Sequence, residues 1–218
     1  MKIKINITVN RAVQILLWYL FFIVVSLALF TPIFAVFVKD FIVGASLSTI
    51  GFALASYSVA KSFLQIPLAK YLDRIKGEKD DYYFLLIGAA FAAVYPFMLL
   101  YIHLPWHLYL LEAFAGIGDA ALMAAYYSLF ARHVDKGSEG FEWSLFSVGG
   151  NTISSAIGAA LGGVLGDMFG FRFLFIVAGI INACAALLLF YLYPLLDGGR
   201  AVSIPPFTPI PKSPVIKQ

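Results

Sequence analysis

Three ionisable residues stand inside long apolar stretches of this 218-residue chain: Lys61, Glu112 and Asp119. A charge at the centre of a bilayer costs about 2.5 to 3.5 kcal/mol on insertion scales, so such residues face a partner or a water-filled cavity. Glu112 and Asp119 are seven residues apart and share one face of a predicted helix, with Gly116 between them. We interpret these carboxylates as candidate proton or cation coupling sites, and Lys61 as an anchor for an anionic group.

Helix geometry suggests how these three residues relate in depth. Counting about 1.5 Å per residue from the predicted helix ends puts Lys61 and Asp119 at similar depth, so an ion pair between them is expected, with Glu112 closer to the outer surface. The alternative interpretation is a structural pair that only neutralises buried charge. Further polar contacts to a ligand could come from Gln65, Tyr126, Tyr127 and Asn151.

The elements that must hold these residues are membrane-spanning helices. The chain is 61% hydrophobic and 12% charged, whereas a soluble domain averages about 25% charged, so a bilayer has to serve as its solvent. The first apolar run exceeds the roughly 7 to 15 residues of a signal peptide and is expected to remain as an anchor. Runs of roughly 20 apolar residues predict an all-α bundle of six helices over 12–195. The predicted spans are 12–38, 46–71, 82–102, 107–132, 143–166 and 171–194.

Basic residues in the connections predict the orientation, because Lys and Arg of short loops stay on the cytoplasmic side. With residues 1–11 inside, the outer side holds only Lys39 and Arg172. The inner side then holds Lys2, Lys4, Arg11, Arg74, Lys76, Lys79, Arg132, Lys136, Arg200, Lys212 and Lys217. We expect a plasma-membrane protein with both termini cytoplasmic, and a disordered proline-rich tail over 196–218.

An internal repeat organises the six predicted helices. Asp73–Gly77 (DRIKG) follows the second span, and Asp167–Gly170 (DMFG) closes the fifth. Aligning them superposes repeat 12–102 on repeat 107–194. Each repeat crosses an odd number of times, so the copies have opposite topology, which is the 3+3 inverted repeat of many transporters.

Four short motifs in this order resemble the major facilitator superfamily. Leu68–Lys79 (LAKYLDRIKGEK) is similar to its signature loop, with Asp73, Arg74 and Gly77 matching and Ala69 in place of a glycine. The second motif, in the fourth helix, is matched by Gly116, Gly118 and Ala120, and Glu112 stands where arginine is usual. The third is Gly158–Gly163 (GAALGG), similar to a fifth-helix motif linked to antiporters, and the fourth is Gly170–Phe175 (GFRFLF) at the entry to the sixth helix.

This resemblance implies one half of a secondary transporter. The family's full-length transporters have twelve helices in two such halves, which work by alternating access and use ion gradients. We therefore expect gradient-driven transport of a small solute or ion by a homodimer or a paired half-transporter. The alternatives are a membrane scaffold or regulatory subunit without transport, and the truncated first half of a twelve-helix transporter.

Small residues recur every four positions along the fifth span and line one helix face, which permits close approach of another helix. They are Gly150, Ser154, Gly158, Gly162, Gly166 and Gly170, and Gly163 lies beside them. We assign Gly158, Gly162, Gly163 and Gly166 to helix packing, either within the bundle or against a second bundle. By the resemblance, Asp73 is expected to meet Gly149 and Gly150 of a second copy.

Other classes of function find no support in the residues. Neither a nucleotide-binding loop nor a nucleophile motif is present, and no His or Cys cluster has metal-ligand spacing. Cys184 has no partner in the chain and fits a small core hydrophobe. We expect no enzyme activity, cofactor, metal or nucleic-acid partner. The expected partners are the lipid bilayer and a small-molecule or ion substrate.

Overall fold

The structure, a computed structural model, describes residues 9–75 and 77–196. Within these ranges the regular structure is helical and no strand occurs. The predicted tail, apart from Leu196, and the first eight residues lie outside these ranges. The helices are α1 (Arg11–Ala28), α2 (Phe34–Phe41), α3 (Leu47–Leu72), α4 (Lys79–Leu99), α5 (Pro105–His133), α6 (Glu139–Ser144), α7 (Ser154–Leu188) and α8 (Tyr193–Leu196). A π-helical segment, Leu145–Ile153, joins α6 to α7.

Five helical stretches of the described residues are long and apolar enough to cross a membrane. They are Arg11–Phe41, Leu47–Leu72, Lys79–Leu99, Pro105–His133 and Glu139–Leu196. The first four correspond to the first four predicted spans. The fifth contains both remaining predictions, 143–166 and 171–194.

Gly170 interrupts this fifth stretch. Its φ of 78° and ψ of 175° are not helical, and they suit glycine, which has no Cβ. A Cβ added to Gly158 would touch the carbonyl of Val25, whereas Ser26 Oγ donates to the carbonyl of Ala178 at 2.9 Å. Two residues twenty positions apart therefore meet one turn of α1, although a straight helix would separate them by about 30 Å. The chain must reverse direction at Gly170.

The first predicted span, 12–38, is not one continuous helix. The α-helix stops at Ala28, a short 3₁₀ turn covers Thr31–Ile33, and α2 then begins at Phe34. Pro32 has no N–H to donate to the preceding turn, which explains a break at this point. The Thr31 hydroxyl donates to the carbonyl of Leu27 at 2.7 Å and satisfies part of the broken ladder.

The helices pack in a definite order: α3 on α5, α5 on α4, α4 on α7 and α7 on α1. Asn182 links α7 to α4, because its side-chain amide donates a hydrogen bond to the carbonyl of Ala92 at 2.8 Å. Two apolar clusters fill the interior, one around Tyr126 and Phe130 and the other around Phe37 and Phe175. By contrast α1 and α3 make little direct contact, which leaves space between them.

Candidate functional site

A cavity of about 450 Å³ occupies the space between α1 and α3. Its walls come from the first five helices, and it lies toward the end of the bundle where α1 stops and α3 begins. Most of its lining is apolar or aromatic, including Phe30, Phe34 and Phe91. The two carboxylates singled out in the sequence, Glu112 and Asp119, both line it. A mostly apolar cleft with a few convergent polar groups is the usual form of a small-molecule site.

Asp119 is held in a three-residue polar cluster between α5 and α3. Lys61 Nζ lies 2.5 Å from Asp119 Oδ2, and the Tyr57 hydroxyl donates to the same oxygen at 2.6 Å. Lys61 also reaches the Tyr57 hydroxyl at 3.4 Å. The predicted Lys61–Asp119 pair is therefore present. The Lys61 side chain is 30% exposed and that of Asp119 23%, so the pair is not sealed in the protein. Asp119 and Tyr57 line the cavity, whereas Lys61 does not.

Glu112 has different surroundings. Its Oε1 accepts a hydrogen bond from the Tyr95 hydroxyl of α4 at 2.7 Å, and the residue is 8% exposed. Among the described residues, no cation lies within ion-pair distance of this carboxylate. The group is thus nine-tenths buried, faces the cavity and has a neutral partner only.

Close helix contacts explain why α5 can present both carboxylates. A Cβ added to Gly116 would touch the carbonyl of Tyr57 on α3, and one added to Gly118 would overlap the ring of Phe91 on α4. Glycine at these two positions lets α5 approach its neighbours on either side. These two glycines therefore let α5 carry both carboxylates while it packs closely against α3 and α4.

The signature-loop residues lie away from the cavity, at the other end of the bundle. Asp73 ends α3, and Asp73, Arg74 and Gly77 are all exposed. Gly77 has a φ of 136°, a region that favours glycine, and its carbonyl accepts from Arg132 Nη1 at 2.5 Å. The same guanidinium nitrogen lies 2.9 Å from Asp81 Oδ2 and so links the ends of α5 and α4.

The glycine face of the fifth predicted span packs inside the chain. Gly158 and Gly162 lie against the backbone of α1 at Val25 and Leu29. Gly166 borders the side chains of Ile33 and Leu174. A Cβ at Gly163, in contrast, would have open space around it, so this residue does not belong to the packed face.

The four polar residues that the sequence suggested as further ligand contacts do not line the cavity. The Tyr126 hydroxyl donates to the carbonyl of Leu16 at 3.1 Å, and Asn151 donates to the carbonyl of Phe146 at 3.0 Å within its own helix. Neither these two nor Gln65 and Tyr127 line the cavity. The site instead uses Tyr57 and Tyr95, which the sequence analysis missed. Tyr57 stands four residues before Lys61, on the same helix face, and that spacing was an available signal.

Long apolar helices around an internal cavity with ionisable side chains are typical of integral membrane transporters. Comparison with family profiles matches residues 16–216 to the Major Facilitator Superfamily. The chain therefore belongs to this superfamily of membrane transporters, at about half the usual length of a member. No curated protein matches it.

Proposed function

We propose that this protein is a gradient-driven secondary transporter that moves a small solute by alternating access. The observation that carries the proposal is the cavity of about 450 Å³ between α1 and α3, with Glu112 and Asp119 in its wall and Lys61 paired with Asp119. Buried charges are costly in a membrane, and their placement at a cavity is typical of substrate or ion pathways.

Within this proposal, Asp119 is the coupling residue. Its carboxylate is held by a cation and a hydroxyl, Lys61 and Tyr57, both on α3. A proton or cation that binds Asp119 would weaken this link between α5 and α3, and so alter how the two helices pack. In this proposal Lys61 serves as the counterion of Asp119 rather than as an anchor for an anion.

The proposed topology is six crossings in a 3+3 inverted repeat, with both termini on the cytoplasmic face of the plasma membrane. The reversal at Gly170 supports a division of the last helical stretch into two spans, and Arg74, Lys79 and Arg132 lie at one end of the bundle. A reporter enzyme that is active only in the cytoplasm, fused to either terminus, should be active. Inactivity of one fusion alone would rule out an even number of crossings.

The proposed working unit is two bundles, either a homodimer or this chain with a related half. The support comes from α3, which is the least buried of the candidate spans. Only 11% of its most apolar 18-residue stretch is buried inside the protein. Small and polar residues follow one exposed face of it at alternating spacings of three and four: Ser48, Gly51, Ala55, Ser58 and Ser62. Such residues favour helix contact over lipid contact.

Asp73 is proposed to meet the partner's helical segment near Gly149. Gly149 has open space on its Cβ side, whereas Gly150 is packed against Leu20 of its own chain. Of the two glycines predicted to face Asp73, only Gly149 is therefore available to a second copy.

Scaffolding without transport is the rival function. The observation in its favour is that Lys61 and Asp119 already neutralise each other, as a purely structural pair would. The third alternative, the first half of a twelve-helix transporter, requires a second half that is not this chain.

One reconstituted sample distinguishes these possibilities. The oligomeric mass is measured in nanodiscs or native-like vesicles, and solute uptake driven by a proton or sodium gradient is measured on the same preparation. We expect a dimeric mass and uptake that stops when the gradient is collapsed. A monomer without uptake would contradict a transporter formed by this chain alone, and a dimer without uptake for any solute class would favour the scaffold.

A further inference from the structure

The charges around the cavity do not balance. Lys61 and Asp119 cancel at a distance of 2.5 Å, which leaves Glu112 as the unmatched acidic group of the wall. Tyr95 donates one hydrogen bond to Glu112, and this bond adds no charge. With its carboxylate ionised, the cavity carries one net negative charge.

An ionised carboxylate in an apolar, nine-tenths buried position costs free energy unless a cation compensates it. No lysine or arginine among residues 9–75 and 77–196 performs this task. A ligand with one positive charge would complete the site. An anionic ligand would place two like charges together, and a zwitterion would leave its own carboxylate without a basic partner, because Lys61 is already bound.

The rest of the lining sets the shape and polarity of the ligand. Five aromatic rings border the cavity, from Phe30, Phe34, Tyr57, Phe91 and Tyr95. Apart from the two carboxylates, the polar side chains of the lining are those of Thr31, Tyr57 and Tyr95. Sugars and other polyols need more hydrogen-bonding partners than these. Aromatic faces, by contrast, attract cations and bury apolar groups.

Resting on the proposed transport function, we infer that the solute is a lipophilic organic cation with a single positive charge, such as an aryl-substituted ammonium or phosphonium. The cation lies at the Glu112 carboxylate, and its apolar groups contact the rings of Phe30, Phe34 and Phe91. Glu112 thus provides recognition, whereas Asp119 provides coupling. The two carboxylates that share one helix face have separate tasks.

Equilibrium binding of two ions of matched shape tests this assignment without a gradient. Tetraphenylphosphonium and tetraphenylborate carry the same four phenyl groups and opposite charges. Binding of each to the wild-type protein in nanodiscs is measured by equilibrium dialysis, with empty nanodiscs to subtract partition into lipid. The variants are Glu112→Gln and, as a control, Glu139→Gln, which removes the same charge from an exposed residue outside the cavity.

We expect wild-type protein to bind the phosphonium, and Glu112→Gln to lower its affinity at least tenfold, about 1.4 kcal/mol, without lowering that for the borate. Glu139→Gln should bind like the wild type. Equal phosphonium binding by Glu112→Gln and wild type, or preference of the wild type for the borate, would overturn the inference. Should Glu112→Gln fail to fold, the wild-type comparison of the two ions still decides it. Cation binding without uptake would contradict only the proposed transport function. Uptake of a different solute without cation binding would contradict only the inference that the solute is a lipophilic cation.

Discussion

The two carboxylates of the cavity differ in their neighbours more than in their positions. Asp119 has a lysine and a tyrosine on one oxygen, and Glu112 has a tyrosine alone. Sequence spacing predicted the shared face and the Lys61–Asp119 pair, because both follow from helical rise and periodicity. It could not predict Tyr95 beside Glu112, since that contact depends on how α4 and α5 align laterally, which no local pattern encodes.

A double-mutant cycle separates the structural and coupling roles of Asp119. Asp119→Asn leaves Lys61 without its counterion, so thermal stability in detergent should fall. Lys61→Met combined with Asp119→Asn removes both charges and should recover much of that loss, with a coupling free energy of about 0.5 to 3 kcal/mol. Neither Asp119→Asn nor the double variant should show gradient-driven uptake, because both lack the Asp119 carboxylate.

The cycle needs both readouts, melting temperature and uptake, on the same preparations. The control is Lys61→Met alone, which should be destabilised by the unpaired Asp119. Wild-type uptake in the double variant would assign Asp119 a purely structural role and contradict the coupling proposal.

At the scale of elements, hydropathy located the spans well, and the breaks within them poorly. Pro32 is a visible signal for the end of α1, yet the apolar run 12–38 continues through it. The π-helical segment Leu145–Ile153 has no comparable signal in the sequence. The four-residue spacing of glycines predicted a packing face, but only tertiary contacts decide that α1 is its partner and that Gly163 lies off it.

Two neighbouring glycines offer a matched test of this packing face. In Gly162→Ala the new Cβ would overlap the backbone of Leu29, so the variant should lose about 1 to 3 kcal/mol of stability through overpacking. Gly163→Ala places its Cβ in open space and should melt within a degree or two of the wild type. Thermal unfolding in detergent measures both. Equal melting temperatures for the two variants would show that α1 and α7 do not pack as described.

At the scale of the whole molecule, composition and motifs were sufficient for the class and the family. The assembly is harder to predict, because an exposed helix face in a membrane can meet either lipid or protein. The exposed face of α3, with Ser48, Gly51, Ala55, Ser58 and Ser62, became visible only when the structure showed which side its neighbours leave uncovered.

Mixed single-cysteine variants test the proposed contact between two copies. In a Cys184→Ala background, chains with Asp73→Cys are co-expressed with chains that carry Gly149→Cys, and membranes are oxidised. A covalent dimer should form, because the proposal brings these two positions together across the pair. The matched control replaces Gly149→Cys with Gly163→Cys, which also lies in open space but is about 20 Å farther along the helix.

The control pairing should give little product. Equal crosslinking of the two pairings would indicate random collision rather than a defined interface, and no product from either would argue against a homodimer with this contact.

The reversal at Gly170 has a mechanical consequence for any rocking motion. Where a long loop joins two rods, each rod can slide past the other. Here the connection is the single residue Gly170, which cannot extend as a loop can. An axial shift of the segment before Gly170 must therefore displace the segment after it by a comparable amount. Both segments also pack on α1 through Gly158 and Ser26, so this trio is expected to tilt as one rigid body. Relative displacement is then expected mainly between α1 and α3, which make little direct contact and enclose the cavity.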